Sequence, residues 1–184
     1  ILEQALPQLL ALADLHVLGC GDEGAFLEGR EGVSVQRHYL PEELPALIGT
    51  IRPHCGLLLS IVPETFSYTL SELWAFGVPV IATRLGSFAD RVRDGENGWL
   101  IEPTAATLVD AVARLDADRT GLAHAAAVIR ATRQPSCAEM VAGYHALAPS
   151  EPTNGRIGPL DREARGDSER HGALHVNTQL PFRL

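Results

Sequence analysis

The sequence predicts an α/β domain built on a doubly wound parallel sheet, and three observations carry that expectation. Short apolar runs at 15–19, 56–62 and 78–83 alternate with stretches of helical spacing. The run Gly56-Leu57-Leu58-Leu59-Ser60-Ile61-Val62 is nearly continuous in apolar residues, as expected of a parallel strand covered by helices on both faces. The repeated order strand, helix, strand, helix lays the strands side by side, because each right-handed crossover returns its helix across the sheet.

Taken in order, Leu2, Leu6, Leu9, Leu10 and Leu12 predict a helix over 2–13, with Pro7 tolerable only in its first turns. Leu15-His16-Val17-Leu18-Gly19 reads as a short strand closed by Gly-Cys-Gly. The segment 32–37 alternates at period two and predicts a second strand. Pro41-Glu42-Glu43 opens a helix to about Ile51, since proline suits an early helical position and acids match the positive helix end. The strand 56–62 leads to a helix over 67–76, with Gly77 as its stop. A strand over 78–83 tolerates Pro79 near its beginning. Gly86-Ser87 starts a short helix over 88–93, and Asp94-Gly95 and Asn97-Gly98 turn the chain into a strand at 99–101. Thr104 caps a helix over 105–116, and alanine-rich helices follow over 119–132 and 136–147.

A chain of 184 residues, 46% of them hydrophobic, supports one substantial core. Its net charge of −8 disfavours nonspecific binding to nucleic acid or to an anionic membrane. The apolar stretches all break well short of a bilayer's thickness, so no membrane span is expected. Nothing resembles a signal peptide, and Ile1 in place of methionine reads as the start of an excised fragment. Cys20, Cys55 and Cys137 are odd in number and far apart, as reduced buried thiols of a cytoplasmic protein would be. The expected organisation is an α/β body over 1–148 and an irregular tail over 149–184, where hydrophobic periodicity stops. Leu174, Val176, Leu180 and Phe182 are the tail's candidate docking residues, while an extended arm and a cloning artefact are equally open.

Ligands of doubly wound sheets bind beyond the carboxyl ends of the strands. The segment there is Pro63-Glu64-Thr65-Phe66-Ser67-Tyr68-Thr69-Leu70-Ser71-Glu72. The amides of Ser67, Tyr68 and Thr69 fall at a helix N-terminus, where the macrodipole adds roughly half a positive charge; such a cradle holds phosphate without a lysine. Glu64 and Glu72 bracket the helix start, and a carboxylate is a bidentate acceptor for paired sugar hydroxyls. An equally available reading makes Glu64 a helix-end complement and Glu72 a solvated residue. Arg84, His38 and His54 read as surface residues more readily than as cleft residues, and Trp74 and Trp99 as core. His171 and His175 have helical spacing but no third ligand. Gly19-Cys20-Gly21-Asp22-Glu23-Gly24 matches a dinucleotide loop only weakly, for no acid closes a following strand.

Glu64 and Glu72 form an E-x7-E pair, followed by Gly77-Val78-Pro79-Val80-Ile81-Ala82-Thr83, Gly86-Ser87 and Asp94-Gly95-Glu96-Asn97-Gly98-Trp99-Leu100-Ile101. Over roughly residues 1–148 this combination resembles the C-terminal donor-binding domain of GT-B glycosyltransferases of the family 4 type (glycosyl transferases group 1). The resemblance implies a Rossmann-like half of a GT-B fold and a retaining, metal-independent transfer from a nucleotide-diphosphate sugar, in polysaccharide or glycoconjugate synthesis, with no other cofactor. It implies that Glu64 lies by the donor sugar as the catalytic carboxylate. Glu72 then binds the ribose, the amides around Phe66, Ser67, Tyr68 and Thr69 contact the diphosphate and sugar, and Tyr39 packs the base. Departures from the family pattern also follow. Ser67 stands where many members have glycine, so its side chain is expected to crowd the sugar or to supply a hydroxyl. The family's first strand with its Arg/Lys loop, and its N-terminal acceptor-binding domain, are expected upstream of Ile1. This stretch alone is therefore expected to show no turnover, having one wall of a two-walled cleft. The rival reading is a noncatalytic nucleotide-sugar-binding or assembly module of the same fold.

Overall fold

A computed structural model describes residues 1–133 and 137–147. The chain divides into two units, Ile1–Gln134 and Pro135–Leu184, each described by itself. The described part of the second unit is a single helix, Cys137–Leu147. The expected tail at 149–184, with His171, His175 and the four candidate docking residues, lies outside the described residues.

The first unit runs α1 (Leu2–Leu9), β1 (Leu15–Leu18), a 3-10 segment (Gly21–Leu27), β2 (Val33–Gln36), α2 (Leu44–Ile51), β3 (Gly56–Leu58), α3 (Tyr68–Ala75), β4 (Val80–Thr83), α4 (Ser87–Arg91), β5 (Gly98–Ile101), α5 (Ala105–Ala117) and α6 (Thr120–Ala131). Every strand pairing is parallel, as the alternating pattern predicted. The strands form two sheets, β1–β2 and β3–β4–β5, because no described strand hydrogen-bonds to both β1 and β3.

Two element lengths differ from expectation. Pro7 sits in the second turn of α1, where it withholds an amide, and the helix ends at Leu9 in turns closed by Leu12 N–H and Ala13 N–H on the Leu9 carbonyl. The strand expected over 56–62 stops at Leu58, and Ile61 and Val62 are 74% and 60% exposed. The fully buried strand is instead β4, all four of whose residues are inaccessible.

Burial of β4 on both faces is what makes the fold doubly wound. Ile81 points into one apolar cluster with Ala5 and Leu9 of α1, Ile101 of β5, and Leu108, Ala111 and Leu115 of α5. Val80 and Ala82, on the alternate face, join Leu70 and Trp74 of α3, Phe88 and Val92 around α4, and Ile129 of α6. Cys55 packs against the first cluster, and burial pushes its thiol up to about 11. Among the described residues Cys20 and Cys55 are free thiols.

Candidate functional site

The site is built where the chain leaves β3. Thr83 Oγ1 donates to the Ser60 carbonyl at 2.7 Å, tying that exit to the end of β4. The loop then crosses the start of α4, where Ser87 N–H donates to the Glu64 carbonyl at 2.8 Å. Gly86 makes this crossing possible: its φ is +51°, and a Cβ there would lie 2.5 Å from the Glu64 carbonyl oxygen and 2.6 Å from the Glu64 nitrogen.

Ser67 then caps α3, its Oγ accepting from Leu70 N–H at 3.3 Å. The side chain is buried and turned into the cap, so it does not crowd a ligand. That corrects the crowding expected at this position. The next two amides, of Tyr68 and Thr69, donate to no acceptor among the described residues. Phe66 and Tyr68 stand outward at the helix start, 49% and 75% exposed, ring edge against ring face with centroids 5.2 Å apart.

Glu64 and Glu72 are both half-buried, and neither carboxylate forms a hydrogen bond or ion pair with a described residue. Tyr39 is half-buried in the loop after β2 and rests on Gly19, whose φ is +70° and where a Cβ would come within 2.9 Å of the ring. Burial raises the Tyr39 hydroxyl's pKa, and the charge of Glu72 raises it further, so the two share one electrostatic neighbourhood. Tyr39, in the loop after β2, thus lies within electrostatic reach of Glu72 in α3, while Glu64, Phe66, Ser67, Tyr68 and Thr69 share one loop and helix start.

A residue that the sequence reading passed over is Arg91. Its Nη1 donates to the Ser67 carbonyl at 2.9 Å and its Nη2 to Ser71 Oγ at 2.7 Å. The guanidinium lies 4.3 Å from the Phe66 ring centroid and 5.5 Å from that of Trp74. The available signal was Arg91's place one residue before Val92 and three after Phe88, a cation on the edge of a core-facing stripe.

Other singled-out residues fall elsewhere. Arg84 pairs with Glu102 at 3.8 Å with both side chains largely exposed. His54 is exposed at the amino end of β3, beside a cavity of about 560 Å³ that Arg52, Pro79 and Arg130 also line. His38 is exposed, Trp74 is buried, and Trp99 is half-buried against the first cluster. The Asp94–Gly98 turn is held internally: Asp94 Oδ1 accepts from Leu100 N–H at 2.9 Å, Asn97 Oδ1 from Arg93 N–H at 2.8 Å, and the Asn97 carbonyl from the Trp74 indole at 3.1 Å. Among the described residues no helix is long and apolar enough to cross a membrane.

Comparison with known proteins bears on the chain as a whole. A D-inositol 3-phosphate glycosyltransferase of Arthrobacter sp. (strain FB24) is 32% identical over 68 residues, 37% of this chain and 16% of that protein. Sucrose-phosphate synthase 4 of Arabidopsis thaliana is 30% identical over 89 residues, 47% of this chain and 8% of that protein. The solved sucrose-phosphate synthase of Thermosynechococcus elongatus superposes with a TM-score of 0.60 at 24% identity, covering 79% of this chain and 43% of that one; it shares the fold. The chain therefore spans a small part of the curated relatives' length. The family described as Glycosyl transferases group 1 matches residues 1–118. With well over half its residues matched, the chain belongs to the group 1 glycosyl transferases.

Proposed function

We propose that this chain is the donor-binding half of a retaining, metal-independent glycosyltransferase that takes a nucleotide-diphosphate sugar, in the cytoplasm, for polysaccharide or glycoconjugate assembly. The observation that carries the reading is a pair of amides, at Tyr68 and Thr69, set along the chain between two carboxylates, none of the four engaged by a described residue. Half-buried carboxylates normally find partners in the protein, so two without one among the described residues are matched to something outside it.

The chemistry divides along the segment. The diphosphate takes the Tyr68 and Thr69 amides, in the positive field of the α3 N-terminus. Glu72 takes the ribose hydroxyls, and Tyr39, in its field, packs the base. Glu64 lies by the sugar, where a fixed negative charge stabilises the positive charge that develops at the anomeric carbon as the diphosphate leaves. An acceptor needs a second wall, which the exposed Ile61, Val62 and Phe66 are placed to meet. This chain alone then binds donor without turning it over.

Calorimetric titration with UDP, GDP and their sugars tests the reading. The chain is expected to bind one of them, and Glu72→Ala to weaken that binding about ten- to a hundredfold, the worth of hydrogen bonds to a charged group, with melting temperature unchanged. Absence of binding at millimolar nucleotide would favour a noncatalytic assembly module on the same fold.

A further inference from the structure

All 15 basic residues of the sequence are arginines, so no lysine supplies a point charge to a phosphate. Arg37, Arg84 and Arg93 are each neutralised by a carboxylate. Arg91 is not: among the described residues its polar partners are a carbonyl and a hydroxyl. It is also half-buried, packed over Phe66, and set against the start of α3. A cation beside the positive end of a helix is unfavourable for the helix itself, and burying it without a counter-charge adds to the cost. The same placement is favourable once an anion occupies the helix start.

The geometry also bears on direction. The Ser67 carbonyl and the Tyr68 N–H belong to one planar trans peptide and point opposite ways. By drawing the Ser67 oxygen inward at 2.9 Å, Arg91 turns the Tyr68 N–H outward. Its grip on Ser71 Oγ at 2.7 Å and on the Phe66 ring holds that peptide from two further sides. We propose that Arg91 is a positioning residue for the donor diphosphate, aiming the Tyr68 amide through the Ser67 peptide and adding an unneutralised charge to the field of the Tyr68 and Thr69 amides. This rests on the donor-binding reading above.

The experiment compares UDP with uridine and GDP with guanosine by calorimetry, on the wild-type chain, Arg91→Met and Arg91→Lys, with thermal melts alongside. Arg91→Met is expected to weaken the diphosphate about ten- to thirtyfold and the matching nucleoside less than about twofold, because only the diphosphate meets the amides. Arg91→Lys, which keeps charge but loses the planar fork, is expected to fall between. Equal losses for diphosphate and nucleoside, or no loss for either, overturn the proposal while leaving the donor reading standing. If Arg91→Met does not fold, Ser71→Ala decides: a several-fold loss confined to the diphosphate supports the proposal, and unchanged affinity overturns it. A wild-type chain that binds no nucleotide removes the donor reading and this inference together.

Discussion

The two signature segments of this chain, 64–72 and 94–98, treat their polar groups in opposite ways. In the second, the Asp94 carboxylate, the Asn97 amide and the Asn97 carbonyl are all engaged with the protein. In the first, Ser67 caps its helix, but the Glu64 and Glu72 carboxylates and the Tyr68 and Thr69 amides meet no described partner. One motif builds the fold and the other is left facing out. The two are joined: Trp74 of α3 donates its indole N–H to Asn97, and Arg91, three residues before Asp94, holds Ser67. The outward-facing segment is thus anchored from outside itself.

The severest test of that anchoring is Gly86→Ala. The residue's φ of +51° disfavours any side chain, and the added Cβ would fall 2.5 Å from the Glu64 carbonyl, backbone that cannot swing aside. Strain and overlap together are expected to cost about 3–5 kcal/mol, read by chemical denaturation, and to abolish nucleotide binding as the Glu64 loop lifts away. Full stability in this variant would mean the loop is not anchored there.

Asn97→Ala is the next smaller effect and sharpens the contrast. Asn97 is buried, and losing its Oδ1 strands the Arg93 amide, for an expected loss of about 1–3 kcal/mol. Nucleotide affinity of the folded protein is expected to stay within about twofold. Glu72→Ala should show the reverse pattern, affinity lost and stability kept. If both variants lose both properties, the division between building motif and binding motif is wrong.

How much of this was legible depended on how local the cause was. Thr104 as a cap, the turn chemistry of Asp94-Gly95 and Asn97-Gly98, and the α/β rhythm all act within a few residues, and each could be read in sequence. β3 was read too long because an apolar run does not reveal where it turns outward: Ile61 and Val62 look like core and stand exposed. Ser67 was placed in the right segment with the wrong side-chain role, since the choice between capping and ligand contact depends on which way one rotamer points. Arg91 was missed outright. Its contacts span 20 and 24 residues along the chain, so a place on the edge of a core-facing stripe does not tell which groups it meets.

The smallest expected effect isolates the cause of the largest electrostatic one. Arg84 and Arg91 both follow β4, and removing either makes the net charge of −8 one unit more negative. Arg84 pairs loosely with Glu102 at 3.8 Å in the open, so Arg84→Ala is expected to change stability by less than about 0.5 kcal/mol. Its effect on diphosphate affinity is expected to stay within about twofold and to disappear in added salt, where exposed charges are screened. If diphosphate binding responded merely to overall charge, the two substitutions would weaken it alike. A large loss on replacing Arg91 beside a negligible one on replacing Arg84 assigns the effect to the grip on the Ser67 peptide. Matching losses would instead assign it to the bulk field, and Arg91 would then be one cation among several.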